Sequence, residues 1–431
     1  MKKRLLASLT AVMLAAGMLV PSAHAIKIPT TNRDFMLAHM TDVEYYTASG
    51  TATPKRAGEV LMQTGTLHSF SELYSVFTDP TSKPAIAKLY DSVDSATRKP
   101  YFSNTSSFAV MIANAAGTSH ELDQQFVVKD RYAQIGTYNI FDTVTLNLKA
   151  GLSVENGGLL LQNTFEGSVT SAEKQKLVVQ LGAPAEVGAG GRLILDGTDN
   201  VASNMVGSLP SELIAPKGQN AIIVNDGGQV EIANFEVKRS ADDNSEAALI
   251  EVEDGGKLRF FASGLMRVDK ETGMPQYVEG YENPDVKVDL DNGASSSPAV
   301  SVAGGATVTV EAGDFSSENG TIFDLADGAT LNLEGGTISN TGDKPAIHAD
   351  SGATVILPED PDAVQITTSN ENGQAIDLAG GSNVQKGDIT ITVGNGEGEG
   401  YVDNDGVIHL PSQSTVDGDT LAVIRGSGCL S

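Results

Sequence analysis

The chain has 431 residues, a formal net charge of −27, one cysteine and no tryptophan. A single cysteine excludes an internal disulfide, so stability must come from burial and from backbone hydrogen bonds. The excess of acidic residues argues against binding to nucleic acid or to an anionic membrane, because both carry negative charge. The acidic residues are spread along the chain, so they do not point to one site. No cofactor is predicted, and calcium, bound loosely, is the one candidate ion.

Residues 1–25 have the pattern of a secretory signal peptide. Three basic residues at 2–4 precede an apolar stretch over 5–20, and a small-residue motif ends at Ala25. This pattern predicts cleavage between Ala25 and Ile26. The apolar stretch is shorter than the roughly 20 residues that a membrane-spanning helix needs, and no second such stretch follows. The mature chain is therefore expected to be secreted or to lie at the cell surface, without a transmembrane segment.

Residues 26–119 are expected to form a small, mixed helical cap. A Ser-x-x-Glu capping box at Ser69 precedes apolar residues at helical spacing, and further helical patterns cover 85–98 and 106–116. A solenoid must cover its open end, since exposed strand edges pair with other chains. A separate recognition domain is the alternative. The cap is favoured because about 90 residues make only a small independent core.

From residue 120 to 393 one pattern recurs, in which two short apolar–x–apolar runs flank a turn with a Gly-Gly or Gly-Ala pair. The basic unit is about 24–28 residues long, within the range of solenoid repeats, and several units are lengthened by insertions. The widest gap, from Gly255 to Gly304, spans either two repeats or one repeat with a long insertion. The first glycines of the eight pairs are Gly157, Gly190, Gly227, Gly255, Gly304, Gly328, Gly352 and Gly380.

The physics of this repeat predicts a parallel β-solenoid. Its strands alternate with period 2, and its turns contain Gly, Asn and Asp, which accept positive φ at low cost. Stacked repeats bury a continuous apolar column and pair each strand with the next coil at ~4.8 Å. The fold class expected is all-β, a single-stranded right-handed parallel β-helix with the helical N-terminal cap. The residues predicted to point inward are Val300, Val302, Val308, Val310, Phe323, Leu325, Leu331, Leu333, Ile347, Val355 and Leu357.

Two strings carry a resemblance to a known family, GGATVTV over 304–310 and GATLNLEGGTI over 328–338. With them, residues from about 120 to 410 resemble the pectin-lyase-like right-handed parallel β-helix superfamily. More narrowly, they resemble the non-catalytic β-helical surface and adhesin-like proteins of gut bacteria. The resemblance covers roughly two-thirds of the chain, and its motifs specify a fold better than they specify a function. Residues 394–431 are expected to be a linker, last short strands and a tail.

The segment VKVDLD over 286–291 is the best local candidate for polysaccharide chemistry. Alternation places Lys287, Asp289 and Asp291 on one outer face, ~7 Å apart in steps of two residues. A lyase needs a base such as lysine near carboxylates that hold calcium, and a hydrolase needs two positioned carboxylates. The competing interpretation is a solvated strand face on an acidic protein, because nothing else in the sequence singles out these residues.

No recognised catalytic set of the β-helix hydrolases or lyases is present, and aromatic residues are sparse. Sugar-binding sites commonly use aromatic faces. The clusters Tyr45–Tyr46, Phe260–Phe261 and 277–281 are therefore either sugar platforms or packing residues, with packing favoured.

Three functional hypotheses remain at this level. The first is a secreted or surface solenoid that acts in adhesion or glycan and host interaction without catalysis. The second is a polysaccharide lyase or glycoside hydrolase of the same superfamily with a diverged site. The third is a purely structural stalk. The sequence leaves the ligand, the mode of anchoring and the oligomeric state open.

Overall fold

The structure is a computed structural model, and all descriptions below concern the residues that it describes. Among these residues there are strands, turns and bends and no helix. The predicted signal peptide and its cleavage position lie outside them. The described residues are 44–45, 55–56, 59–63, 108–113, 119–130, 132–138, 143–164, 176–196, 211–233, 235–240, 242–261, 266–268, 275–277, 289–358, 363–368, 375–386, 389–392, 400–402, 408–409 and 415–416.

Three stacked sheets of mainly parallel strands form the body of the molecule, consistent with a β-helix solenoid. The chain visits the first, second and third sheet in turn, and then returns to the first sheet one coil further along. The first sheet has thirteen strands: Glu59–Gln63, Phe108–Ala113, Tyr132–Tyr138, Gly157–Thr164, Gly191–Asp196, Gln229–Ala233, Lys257–Phe260, Thr307–Val310, Thr330–Leu333, Thr354–Leu357, Asn383–Lys386, Ile389–Thr392 and Thr415–Val416.

The second and third sheets complete each coil. The second sheet has nine strands: Ser119–Leu122, Val144–Leu148, Leu177–Leu181, Ser211–Ile214, Phe235–Lys238, Asp289–Asp291, Asp314–Ser317, Gly336–Asn340 and Val364–Thr368. The third sheet has eleven: Phe126–Lys129, Leu152–Glu155, Ala185–Val187, Ile222–Val224, Ile250–Val252, Val300–Val302, Phe323–Leu325, Ile347–Ala349, Ile376–Leu378, Gly400–Val402 and Ile408–His409. Two antiparallel pairs lie apart from these sheets: Glu44–Tyr45 with Lys55–Arg56, and Met266–Val268 with Pro275–Tyr277.

The inward face of the strands forms one continuous apolar core, as the period-2 pattern predicts. In the first sheet, Leu258, Val308, Leu331 and Val355 are aligned on successive coils and are all buried. Every residue predicted to point inward is buried, except Leu357, which is partly buried against the core.

The widest gap between glycine pairs is one coil with a long insertion. Lys257–Phe260 pairs directly with Thr307–Val310 in the first sheet, and Ile250–Val252 pairs with Val300–Val302 in the third. The antiparallel pair formed by Met266–Val268 and Pro275–Tyr277 lies within that insertion.

The turns between the third and first sheets need positive φ, and the residues in them supply it. Gly227 has a φ of 70° and Gly352 a φ of 84°. Asn156 occupies the corresponding turn of an earlier coil with a φ of 46°, and its amide donates to Asp130 Oδ1 at 2.6 Å. Asparagine and aspartate accept this conformation because their short side chains bond locally.

The helix predicted over 106–116 is wrong. Phe108–Ala113 is a strand of the first sheet, parallel to Tyr132–Tyr138 on one side and to Glu59–Gln63 on the other. The run FAVMIA is continuously apolar, and in so short a run the apolar period does not distinguish a helix from a strand buried on both faces. The first sheet thus reaches into the segment expected to form the cap. The other two predicted helices lie outside the described residues.

At the C-terminal end the chain reverses direction. Ile389–Thr392 runs antiparallel to Asn383–Lys386, and Gly400–Val402 runs antiparallel to Ile376–Leu378. Antiparallel strands cover the last coil of two of the three sheets, which limits edge-to-edge pairing there. The predicted strand over 407–410 is present as Ile408–His409, whereas residues 421–424 lie outside the described part. Among the described residues no helix is long and apolar enough to cross a membrane.

Candidate functional site

The outer face of the first sheet carries aligned columns of side chains. Register places Ile194, Glu231, Arg259, Thr309 and Asn332 in one such column on five successive coils. Strand spacing of ~4.8 Å brings each side chain within reach of its neighbours on adjacent coils. Along this column the side chains change from apolar to charged and then to uncharged polar. The polar side chains of this face are described below in two groups, one charged and one uncharged.

The first part, called the charged patch, consists of Arg192, Glu231, Arg259, Glu311 and Glu334. Arg192 contacts Glu231 Oε1 with Nη2 at 2.6 Å and with Nε at 2.8 Å. Arg259 contacts Glu311 Oε1 through the same two guanidinium nitrogens. Each arginine thus holds one carboxylate oxygen of the next coil, and charged hydrogen bonds of this kind are stronger than neutral ones. The two pairs compensate their charges locally.

Glu311 is a partly buried carboxyl group of the charged patch. Burial raises the pKa of Glu311 above its ordinary value, the charges of Glu334 and Glu231 add to the rise, and Arg259 opposes it. Glu334 follows on the next coil, where its N–H donates to Val310 O at 2.7 Å and Asn332 Nδ2 donates to its Oε1 at 2.7 Å. Two carboxyl groups on adjacent coils in different surroundings are a starting point for acid–base chemistry.

The second part, called the neutral strip, continues the same face over four coils. Its side chains alternate with the buried Val308, Leu331, Val355 and Val384, so they point outward. Within the described part of the chain, its threonine hydroxyls make no side-chain hydrogen bond. The residues of the neutral strip are Thr307, Thr309, Thr330, Asn332, Thr354, Ile356, Asn383 and Gln385, all half-buried as on a flat sheet surface.

A second charged group lies on the outer face of the second sheet. Glu212 accepts from Lys176 and lies 3.0 Å from Lys238 Nζ, which also contacts Glu236 at 3.1 Å. Burial would raise the pKa of Glu212, but the hydrogen bonds from Lys176 and Lys238 hold it below its ordinary value. Burial would likewise lower the pKa of Lys238, and its carboxylate partners raise it. This group is neutralised internally and joins three coils.

The structure describes two of the three residues predicted for polysaccharide chemistry. Asp289 and Asp291 lie on either side of the buried Leu290 in one strand of the second sheet. Asp291 Oδ1 accepts from the N–H of Gly293 at 2.8 Å, which is a turn-stabilising contact. Asp289 is aligned with Asp314 of the next coil. Lys287 lies outside the described residues, so the predicted triad stays a prediction.

The outer face of the third sheet has a histidine between two aspartates of neighbouring coils. Asp324, His348 and Asp377 are aligned in register. His348 Nδ1 lies 2.9 Å from Asp324 Oδ1, and its Nε2 lies 4.0 Å from Asp377 Oδ2. The hydrogen bond to Asp324 raises the pKa of His348; burial opposes the rise, and the charges of Asp324, Asp377 and Asp350 add to it. The imidazole bridges the two carboxylates, so the three groups do not converge on a common point.

A buried polar cluster fixes the corner between the second and third sheets. The Arg239 side chain is 3% exposed, with Nε donating to Asn292 Oδ1 at 2.8 Å and Nη2 donating to Ala247 O at 2.7 Å. Its Nη1 lies 3.9 Å from Oδ2 of Asp243, whose side chain is 2% exposed and whose Oδ1 accepts from Gly218 N–H at 3.1 Å. The loop containing Asp243 is therefore anchored internally.

The aromatic clusters are packing residues where the structure describes them. Phe260 and Phe261 are buried, so they offer no surface for a sugar ring. Phe260 packs edge-on against Phe315 with ring centroids 4.9 Å apart, and Phe315 packs against Phe323 at 5.4 Å. These three rings lie in the core, and they connect the coil that contains the long insertion with the next coil.

Sequence reasoning missed the charged patch and the histidine column. The partners in the charged patch are 39 and 52 residues apart, and the lone arginines and glutamates have no local motif. Aligning the repeats on their glycine pairs would have placed Glu231 beside Arg259, because each lies four residues after the first glycine of its pair.

Within the described residues, no group of three or more His, Cys, Asp or Glu side chains is arranged to hold a metal ion. No protein-family model matches the chain, and no curated protein or solved structure matches it either.

Proposed function

We propose that the protein is a secreted or cell-surface β-solenoid that binds a glycan or a host surface molecule without catalysis, and that the outer face of the first sheet is its binding face. The observation that carries the proposal is the contrast on that face. The arginines and glutamates of the charged patch are bonded to one another, whereas the threonine hydroxyls of the adjoining neutral strip bond to no side chain among the described residues. Hydroxyl groups that no described side chain engages leave donors and acceptors for a ligand, and on a rigid frame this favours recognition over reaction.

We also infer that the solenoid is right-handed and related to the pectin-lyase-like β-helices. Crossover connections between parallel strands of one sheet are right-handed in about 98% of cases, and parallel strands within each of the three sheets here are joined by crossover connections. The glycine-pair turns and the alternating strands that carried the resemblance support the same relationship.

An enzyme with a diverged site is the second candidate, and one observation favours it. Glu311 and Glu334 lie on adjacent coils, and burial raises the pKa of Glu311, as in a general acid. In this alternative Glu311 would protonate a leaving glycosidic oxygen, and Glu334 would act as base or nucleophile. Lys287, Asp289 and Asp291 remain the candidates for a lyase on the second sheet.

The experiment that separates the candidates uses the mature chain beginning at Ile26. Binding is measured on a glycan array and on a panel of host surface proteins, and turnover is measured as new reducing ends and as the absorbance of unsaturated uronates, with and without calcium. Binding without turnover supports the proposal.

Turnover would replace the proposal with the enzyme, and variants then assign its site. Reducing ends that disappear with Glu311→Gln or Glu334→Gln place a hydrolase on the first sheet. Unsaturated uronates that disappear with Lys287→Ala and Asp289→Ala together place a lyase on the second sheet. Thr337→Val, on the outer face of the second sheet, is the control for the hydrolase variants, because it leaves the first sheet unchanged.

Export is tested separately by the mass of the protein recovered from the culture medium or the cell surface. A mature chain that begins at Ile26 supports secretion. A full-length chain that stays in the cytoplasm contradicts it.

A further inference from the structure

We propose that the neutral strip binds an extended, uncharged polysaccharide that lies along the solenoid axis. This inference rests on the proposed function and names its ligand class. It starts from the alignment of Thr307, Thr330, Thr354 and Asn383 on four successive coils, with a second column of Thr309, Asn332, Ile356 and Gln385 beside it.

The spacing of the strip matches a linear polymer better than a compact ligand. Neighbouring members of a column are separated by the ~4.8 Å between strands, and the two columns are ~7 Å apart. Hydroxyl and amide groups both donate and accept hydrogen bonds. A ligand that uses several coils must itself present donors and acceptors at repeated intervals, and a chain of sugar hydroxyls does so.

Charge selects an uncharged polymer. The protein carries a net charge of −27, so an anionic polymer is repelled as it approaches any part of the surface. A cationic polymer is attracted by the same field, but the neutral strip itself has no charged side chain that could pair with it. A neutral polysaccharide is not repelled and can exchange its water contacts for contacts with the strip.

Accessibility also favours the late coils over the early ones. Leu160, Ile194 and Phe261 face away from the core at outward positions of the first sheet, yet they are buried. Residues of the neutral strip, at outward positions of later coils, keep part of their surface exposed. The strip contains no aromatic ring, so each coil should contribute weakly, and affinity should grow with the number of coils that one polymer chain engages.

The test is co-sedimentation of the full mature chain with insoluble neutral polysaccharides, compared with depletion by soluble anionic ones such as pectate. The key variant is Thr307→Val/Thr330→Val/Thr354→Val, which removes three hydroxyls and preserves shape and strand preference. Since a neutral hydrogen bond contributes about 1 kcal/mol, we expect at least a tenfold loss of affinity. Thr337→Val is the matched control, because it removes one outward hydroxyl from the second sheet.

Each outcome decides between the inference and the function on which it rests. Binding to a neutral polymer that falls tenfold in the triple variant and persists in the control supports the inference. Binding that survives in the triple variant but is lost with Arg259→Ala, or a preference for pectate, overturns the inference and leaves the proposed function standing. Failure to bind any polysaccharide overturns the inference, and the proposed function then survives only if a host protein binds.

Discussion

The early coils, residues 132–261, and the late coils, residues 299–386, share one interior and differ on the outside. Aligned positions in the early coils are unevenly spaced along the chain, with a longer path from Arg192 to Gln229 than from Gln229 to Lys257. In the late coils the aligned threonines at 307, 330 and 354 follow one another at an almost constant interval. On the first sheet, the early outer face holds ion pairs and buried apolar groups. The late outer face of that sheet carries the regular uncharged columns of the neutral strip, with Glu311 and Glu334 beside them.

This difference shows which constraint acts on which surface. The inward positions must fill a continuous column in every coil, so they stay apolar through both regions. Insertions and charged side chains lie beside this apolar column, on the outer faces and at the corners between sheets, where they do not disturb the ladder. Long insertions and buried ion pairs therefore make each early coil different from the next. The late coils keep a repeated outer surface on the first sheet, which suits a repeated ligand.

The largest expected effect comes from the aromatic contact that joins the two regions. Phe315→Ala removes the ring that packs against both Phe260 and Phe323, so it should lower the free energy of unfolding by about 3–5 kcal/mol. Chemical denaturation monitored by circular dichroism measures the loss. Ser316→Ala, on the outward side of the same strand, is the control. An equal effect of both substitutions would contradict continuous packing across the insertion.

A somewhat smaller effect is expected at the buried corner of the early coils. Asp243→Ala leaves the Arg239 guanidinium buried without its carboxylate, and we expect a loss of about 3 kcal/mol in the free energy of unfolding. The neighbouring exposed Asp242 serves as control through Asp242→Asn, which suits its φ of 61° and should change stability little. A neutral result for Asp243→Ala would show that this loop is not anchored by the pair.

Two turn glycines, one in each region, separate the cost of a strained φ from the cost of a side-chain collision. Gly352→Ala places a Cβ at a φ of 84° and against Oδ1 of the exposed Asp327, whose carboxylate must move aside, so it should cost about 1.5 kcal/mol. Gly227→Ala has the strained φ alone, since its Cβ would meet only Ala189 and Gly190 at ordinary contact distances, and should cost about 1 kcal/mol. Thermal unfolding of the two variants measures the difference. If Asp327→Ala failed to improve Gly352→Ala, the proposed collision would be refuted.

The smallest expected effects are those of pH on the free energy of unfolding, and they have opposite signs at the two ends of the solenoid. The raised pKa of His348 means that its contacts stabilise the fold below the unfolded value of 6.5, and this contribution is lost as pH rises through the folded pKa. His348→Gln should therefore lose up to about 1 kcal/mol at pH 5 and almost nothing at pH 9. A pH-independent difference would contradict the pairing with Asp324 and Asp377.

The contribution of His120 to stability should have the opposite pH dependence. It is aligned with the inward-facing Leu146 in the first strand of the second sheet, and burial lowers the pKa of its imidazole. Its neutral form is therefore favoured by folding, and this stability is present above pH 6.5 and is lost as pH falls through the folded pKa. His120→Gln should flatten the acid side of the stability profile, measured by denaturation between pH 4 and 7.

The interior could be predicted from the sequence, and the outer surface could not. Period-2 alternation and the glycine pairs were enough to place residues such as Val308 and Leu331 in the core, because each signal is local. The partnership of Arg259 with Glu311 depends on register across a long insertion, and no local pattern encodes it. The strand Phe108–Ala113 was mistaken for a helix because the apolar period in so short a run is ambiguous.

The proposed binding face is tested most sharply by following one polymer through binding and recovery. The mature chain is incubated with the neutral polysaccharide that it binds best, and the length distribution of the recovered polymer is measured together with the bound fraction. We predict stable binding, an unchanged polymer length, and reduced binding in the triple threonine variant. Shortening of the polymer that disappears with Glu311→Gln would contradict the proposal and show that the outer face of the first sheet is an active site.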